Sequence, residues 1–101
     1  MIRVLYRWRV APDRRAAFAR WWHEGTLGIR ANEADALGST LLDPDGDEDH
    51  LVAIARWRTR EALEAFWAKT AGPPFEGAVL EPPQIFEELD DLTLTPRSGE
   101  S

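Results

Sequence analysis

The sequence predicts an α+β domain of the ferredoxin-like type, with a four-stranded antiparallel sheet and two helices on one face of that sheet. Three observations predict this fold. Some segments alternate apolar and polar residues, which is typical of strands with one buried face. Two longer segments place apolar residues at helical spacing. The segments follow one another in the order β-α-β-β-α-β, which gives a split β-α-β arrangement when the crossovers are right-handed.

The first part of the chain predicts one strand and one long helix. Residues 2–10 alternate, with apolar side chains at the even positions, and are therefore expected to form a strand. A helix is expected over residues 13–30, although Gly25 and Gly28 weaken its last turns because glycine is a poor helix former. The stripe at helical spacing consists of Phe18, Trp21, Trp22, Gly25 and Ile29.

A hairpin and a second helix are predicted next. Residues 37–42 and 51–57 are expected to form the two strands of the hairpin, joined by a turn rich in Asp, Pro and Gly. A helix is expected over residues 60–70, with Thr59 as its N-cap, because a threonine hydroxyl accepts a hydrogen bond from the first free backbone N–H groups.

The last third of the chain carries weaker patterns. Residues 75–80 are expected to form one loose turn, and residues 84–94 a final strand with a bulge near Glu87, where the alternation slips. The 101 residues fit a single domain. We expect that domain to span residues 1–95, followed by a flexible polar tail over residues 96–101.

One face of the predicted sheet has no helix to cover it. Leu5 and other apolar residues lie on that face, and exposed apolar area of this kind is normally buried by a second layer. A second copy of the same sheet is the usual solution. The sequence therefore predicts a homodimer with a two-fold interface.

The composition excludes several classes of partner. The net charge of −6 argues against nucleic acid and against anionic membrane surfaces, which both need a basic face. There is no cysteine, no apolar run long enough to span a bilayer and no signal segment, so a cytoplasmic protein is expected. The two histidines lack metal-ligand spacing, and the acidic turn at residues 43–49 lacks the spacing of a calcium loop; a solvated turn is the simpler explanation. No metal is predicted.

Three motifs in order resemble the antibiotic biosynthesis monooxygenase family. A strand runs into Val10-Ala11-Pro12-Asp13 and then into a helix with an early Phe18. The Asp/Gly hairpin follows, and Trp57 then ends a strand just before a capped helix. The resemblance covers nearly the whole chain. It implies a dimeric α+β barrel with a pocket between helices and sheet in each subunit.

The same resemblance implies what the pocket does. Some members of the family are oxygenases that use no metal, flavin or nicotinamide, because the deprotonated substrate itself reacts with oxygen. Other members bind and degrade haem, with an asparagine, a tryptophan and a haem-ligating histidine. Tyr6 stands at the asparagine position and Trp67 matches the tryptophan, but the histidine position falls near Gly77, where there is no histidine. The absence of this axial ligand argues against haem, and together with the lack of any cluster of ligand residues it predicts that no cofactor is bound.

Aromatic residues and one histidine are the candidate substrate-binding residues. They could line a flat slot for an aromatic or polyketide-like molecule, with the tyrosine hydroxyl and the indole N–H groups as polar handles. Plain core packing is the alternative interpretation of the aromatic residues. His23 could act as a base toward a phenol, or could simply lie on the surface. The candidates are Tyr6, Trp8, Trp22, His23, Trp57 and Trp67.

Arginines along the first predicted strand and acidic residues along the last predict cross-strand ion pairs, because these two strands are neighbours in this fold. The arginines are Arg3, Arg7 and Arg9, and the acidic residues are Glu87, Glu88, Asp90 and Asp91. Binding of an anion by the arginines is the alternative.

The function predicted from the sequence is a cofactor-independent monooxygenase that oxidises an electron-rich aromatic or polyketide-like small molecule with O₂. The alternatives are a non-catalytic dimer that binds a small ligand, and a haem-binding relative. A cavity with a polar group beside the aromatic residues favours the first, whereas a pocket filled by the protein's own tryptophans favours the second.

Overall fold

The computed structural model describes residues 1–70 and 75–93. Its strands are β1 (Ile2–Val10), β2 (Ala36–Leu42), β3 (His50–Trp57), β4 (Ala78–Leu80) and β5 (Gln84–Glu87), and its helices are α1 (Arg15–Asn32), preceded by a short 3-10 turn, and α2 (Arg60–Lys69). The strands run in the order β2-β3-β1, and both β4 and β5 pair with the free edge of β1. All pairs are antiparallel. The predicted α+β ferredoxin-like fold class is confirmed.

Strand β1 is the centre of the sheet, and its two faces have different roles. It pairs with β3 from Ile2 opposite Trp57 to Arg9 opposite His50. Its even-numbered side chains face the helices, and Val4 and Val10 are completely buried there. The neighbouring β3 alternates in the same way, with odd-numbered residues buried. The period-two pattern of the sequence therefore predicts correctly which side chains lie on the inner face of the sheet.

Each helix inserts one large apolar side chain into the core. Phe18 of α1 and Leu63 of α2 have no exposed surface. They belong to two separate clusters, because Leu63 packs at the end of β1 near Ile2 and Phe18 packs at the other end near Val10. The inner face of the sheet between the two clusters is left for the cleft described below. No helix in the described part of the chain is long and apolar enough to cross a membrane.

The prediction for the last third of the chain was wrong in detail. Residues 78–80 form strand β4 instead of a loose turn, and the last strand ends at Glu87. Pro82 and Pro83 separate the two short strands, because proline cannot donate the backbone hydrogen bond that a continuous strand needs. Residues 88–93 leave the strand, so no bulged strand continues there. Leu94 and the tail at 96–101 lie outside the described residues, and the domain boundary at 95 stays a prediction.

The predicted ion pairs are confirmed for Arg3, whereas Arg7 has partners other than those expected. Arg3 contacts Glu88 at 3.3 Å and Asp91 at 3.1 Å, but both acidic residues lie beyond the end of β5. Arg56 of β3 joins the same group, at 2.7 Å from Glu88. Arg7 pairs with Asp47 of the hairpin turn, at 3.2 Å, and not with the last strand. These pairs hold residues 88–93 and the hairpin turn against the outer face of the sheet.

Candidate functional site

A cleft of about 700 Å³ lies between the two helices and the inner face of the sheet. This volume is within the usual range for pockets that hold drug-sized ligands. The sheet and α2 contribute the aromatic side chains Tyr6, Trp8, Trp57, Phe66 and Trp67 to its lining, and α1 contributes Trp21 and Trp22. The tryptophans therefore line the space without filling it.

One hydrogen bond between side chains marks the polar point of this apolar cleft. The indole Nε1–H of Trp67 donates to the hydroxyl oxygen of Tyr6 over 3.1 Å. Tyr6 reaches the cleft because it is an even-numbered residue of β1, and Trp67 reaches it because it lies one helical turn after the buried Leu63. The strand and the helix thus bring together two residues that are 61 positions apart.

The environment of Tyr6 keeps its hydroxyl group protonated. Burial raises the pKa of Tyr6 above its ordinary value of 10.0, because a phenolate is poorly solvated there, and the hydrogen bond from Trp67 offsets this only in part. The Tyr6 oxygen accepts from Trp67, so its own proton is free to be donated to another molecule. The pair therefore presents one O–H donor to the cleft at neutral pH.

Packing fixes the orientation of this donor. The rings of Tyr6 and Trp8 are nearly parallel, at 22°, with their centroids 5.7 Å apart. Trp8 rests edge-on against the buried Phe18 at 5.1 Å. Aromatic contacts of this geometry are favourable beyond the area that they bury. Tyr6 and Trp8, which form the floor of the cleft, are consequently packed against the core.

Trp57 and Trp22 differ in how far they belong to the core. Trp57 is only 3% exposed and packs on Phe66 with centroids 5.2 Å apart, so it is a core residue whose edge reaches the cleft. Trp22 is half-buried beside the cluster around Phe18. Pocket lining and core packing, which the sequence left as alternatives, are both present here and apply to different residues.

His23 does not line the cleft. It is exposed on α1, outside the inner stripe of the helix, and lines a separate groove of about 490 Å³ together with Arg3 and Arg56 of the outer sheet face. Helical geometry explains this position, because residue 23 points roughly 100° away from residue 22 around the axis. The hypothesis that His23 deprotonates a ligand in the cleft therefore has no geometric support.

Two features of the cleft were missed by the sequence analysis. Gly25 and Gly28 line it on the side of α1, although each glycine costs a helix about 1 kcal/mol relative to alanine. Glu33, which follows α1, pairs with Lys69 at the end of α2 over 2.6 Å, and Glu33 also lines the cleft. The sequence feature that could have indicated the role of the glycines is their position in and beside the apolar stripe of an amphipathic helix.

The residues of the cleft do not fit haem ligation. Among the described residues that line it, none is a histidine, cysteine or methionine. Tyr6 is a neutral phenol that already accepts from Trp67, which makes it a poor axial ligand. Gly77, near the position at which the resemblance predicted a haem-ligating histidine, has a φ of +94° and lies against the Arg14 side chain, so a larger residue is strained there.

The chain belongs to the antibiotic biosynthesis monooxygenase family, because the sequence model of that family matches residues 1–71. The fold and the aromatic cleft agree with this assignment. No functionally curated protein matches the chain with significant sequence similarity.

Solved structures share the fold over nearly their whole length. The heme degrader MhuD from Mycobacterium tuberculosis, with two hemes bound in its active site, is 20% identical over 90% of this chain and 98% of its own, with a TM-score of 0.68. SnoaB from Streptomyces nogalater, a cofactor-independent oxygenase, is 20% identical over 91% and 96%, with a TM-score of 0.61. A provisionally named antibiotic biosynthesis monooxygenase from Deinococcus radiodurans is 11% identical over 95% and 100%, with a TM-score of 0.70. At these identities the likeness shows the fold alone.

Proposed function

We propose that the protein is a cofactor-independent monooxygenase that oxidises an electron-rich aromatic or polyketide-like phenol with O₂ in the cleft between helices and sheet. The observation that carries the proposal is the Trp67–Tyr6 hydrogen bond, which leaves the neutral Tyr6 hydroxyl free to donate within an aromatic cleft of about 700 Å³. Membership of the monooxygenase family and the fold shared with SnoaB support the same reaction.

The reaction needs only the substrate and oxygen. The substrate is a phenol whose ring system also holds a ketone and, across the ring from it, a CH₂ group. This CH₂ group loses a proton to give an anion that is delocalised onto the ketone oxygen. This anion transfers one electron to O₂, and the resulting radical pair combines to form a hydroperoxide at the carbon atom. Loss of water then leaves a carbonyl group. In total, one CH₂ and one O₂ become one C=O and one H₂O, and all the electrons come from the substrate.

The protein contributes by stabilising the anion. The Tyr6 hydroxyl donates to the anionic oxygen of the substrate, and the Trp67 N–H holds Tyr6 in place and polarises its O–H bond. The Tyr6 hydroxyl is largely buried, so this hydrogen bond acts in a medium of lower polarity than water, where it is stronger than in bulk solvent. Removing one preorganised donor of this kind lowers kcat by about 10²–10³ fold in other enzymes.

The proton of the substrate passes to water in this scheme. Among the described residues that line the cleft, Glu33 is the one carboxylate, and it is paired with Lys69. Tyr6 is not a base, because its pKa is raised. The rate is therefore expected to rise with pH as the bound substrate ionises to the reactive anion, and to level off above the pKa of that ionisation.

A second copy of the chain is proposed to cover the outer face of the sheet. Half-buried or exposed apolar side chains lie there on all five strands, and they include Leu5, Leu42, Ile54, Val79 and Phe86. A specific interface of this kind buries roughly 1,200–2,000 Å² in total. The homodimer leaves the cleft of each subunit on the opposite side of its sheet.

Oxygen consumption with a tricyclic test substrate examines the proposed reaction. 1,8-Dihydroxyanthrone, whose phenol groups lie beside a ketone and whose oxidisable CH₂ group lies across the ring from that ketone, is mixed with the protein in the presence of EDTA. One O₂ is expected to be consumed for each quinone formed, at a rate well above that without protein. Tyr6→Phe, which removes only the hydroxyl group, is expected to lower kcat by about 10²-fold. Binding without oxygen consumption would instead identify a non-catalytic ligand-binding protein, and a Soret band on titration with haem would favour the haem-binding alternative.

A further inference from the structure

The inner face of α1 lacks side chains at its middle turn. The stripe that faces the sheet begins with the buried Phe18, continues through Trp21 and Trp22, and reaches Ile29 three turns after Phe18. Gly25 occupies the centre of this stripe, and Gly28 lies beside Ile29. Large apolar residues are typical of such positions in a helix that packs on a sheet.

Close packing does not explain either glycine. A Cβ atom built on Gly25 or on Gly28 meets no neighbouring atom within 4 Å. Neither residue has the positive φ that favours glycine, because both lie within the regular helix α1. The space in front of them is the cleft itself, since both residues line it. An alanine at either position would therefore fit the free protein and strengthen the helix.

We infer that Gly25 and Gly28 are specificity-determining residues, which keep the α1 wall of the cleft flat so that a ligand of several fused rings lies between α1 and the Tyr6–Trp8 floor. This inference rests on the proposed function and adds the size and shape of the substrate. A cavity of roughly 150 Å³ holds one benzene ring. The cleft, at about 700 Å³, is several times larger and suits a planar polycyclic phenol.

Binding of two phenols of different size tests the inference. The probes are 1,8-dihydroxyanthraquinone, a tricyclic phenol that does not react with O₂, and phenol itself. Quenching of tryptophan fluorescence measures binding of the tricyclic probe, and NMR titration measures binding of phenol. Gly25→Ala and Gly28→Ala each add one methyl group to the wall, and Gly25→Leu adds a larger one. Ala31→Gly, at an exposed position of α1 that does not line the cleft, is the matched control for helix propensity.

The alanine variants are expected to bind the tricyclic probe about tenfold more weakly or worse, because one methylene in an apolar pocket changes affinity by about 10–200 fold. Gly25→Leu loses binding altogether, and the affinity for phenol stays the same. The melting temperature of the free alanine variants rises by about 4–8 °C, whereas Ala31→Gly lowers it without any change in binding.

Other outcomes would overturn the inference, and they separate it from the proposed function. Unchanged binding of the tricyclic probe by all glycine variants would show that the α1 wall does not contact the ligand, while the proposed oxygenase would stand. A lower melting temperature of Gly25→Ala would show that the glycine serves packing. Failure of the unmodified protein to bind the tricyclic probe would contradict both the inference and the proposed function.

Discussion

The hydrogen bond between Trp67 and Tyr6 can be measured with a double-mutant cycle. Trp67→Phe removes the indole N–H and keeps an aromatic ring, and Tyr6→Phe removes only the acceptor. Each variant loses the same bond, so each is expected to lower the free energy of unfolding by about 1 kcal/mol, the usual net value of such a bond. The double variant loses that bond only once. The expected coupling is therefore about 1 kcal/mol in favour of the pair.

The cycle needs an assay that the substituted tryptophan does not distort. Urea unfolding followed by far-ultraviolet circular dichroism meets this condition. Trp57→Phe combined with Tyr6→Phe is the matched control. Trp57 pairs with Ile2, and Ile2 lies four residues before Tyr6 on β1, or about 13 Å along the strand at 3.3 Å per residue. Its effect should add to that of Tyr6→Phe within about 0.5 kcal/mol. Simple additivity of Trp67→Phe and Tyr6→Phe would refute the pairing and the argument for an oriented donor.

The remaining predictions concern pH, association and cofactor content. Because the pKa of Tyr6 is raised in the folded protein, the contribution of Tyr6 to stability is complete below pH 10.0 and is lost as the pH rises through the folded-state pKa. Tyr6→Phe should therefore flatten the fall in melting temperature at alkaline pH. An unchanged fall would count against this assignment. The hydrogen bond from Arg56 lowers the pKa of Glu88 below 4.5, so the contribution of Glu88 to stability is present above that pH and is lost under more acid conditions. Glu88→Gln should show a smaller drop in melting temperature between pH 7 and pH 3 than the unmodified chain. An equal drop would contradict the pairing. Sedimentation should show a dimer, and a monomer at micromolar concentration would leave the outer sheet face unexplained. Titration with haem should give no stoichiometric Soret band, whereas a band at one haem per chain would overturn the ligand argument.

The sequence predicted the central part of the fold well because local patterns determine it. The alternation in β1 and β3 follows directly from one buried and one open face, and Thr59 accepts the capping hydrogen bond from Ala62 that its position predicts. The last third depends on pairing with a distant strand. Whether residues 78–80 extend along β1 is decided by the partner edge and not by their own pattern, so a loose turn was a reasonable but wrong prediction.

The candidate site was predictable only in part. The period of β1 and of α2 places Tyr6 and Trp67 on facing inner surfaces, but their hydrogen bond depends on the distance between helix and sheet, which the sequence does not give. His23 was chosen for its chemistry, and its direction on α1 takes it to another groove. Gly25 and Gly28 were interpreted only as residues that weaken a helix. The free space in front of them becomes apparent only when the position of the opposite wall of the cleft is known.

Incorporation of labelled oxygen tests the central proposal most directly. 1,8-Dihydroxyanthrone is incubated with the protein under ¹⁸O₂ in the presence of EDTA, and the quinone is analysed by mass spectrometry. The proposed mechanism predicts one ¹⁸O atom in the new carbonyl group, formed in a Tyr6-dependent reaction that falls by about 10²-fold in Tyr6→Phe. Unlabelled quinone, or a labelled product formed equally fast with Tyr6→Phe or without protein, would contradict the proposal.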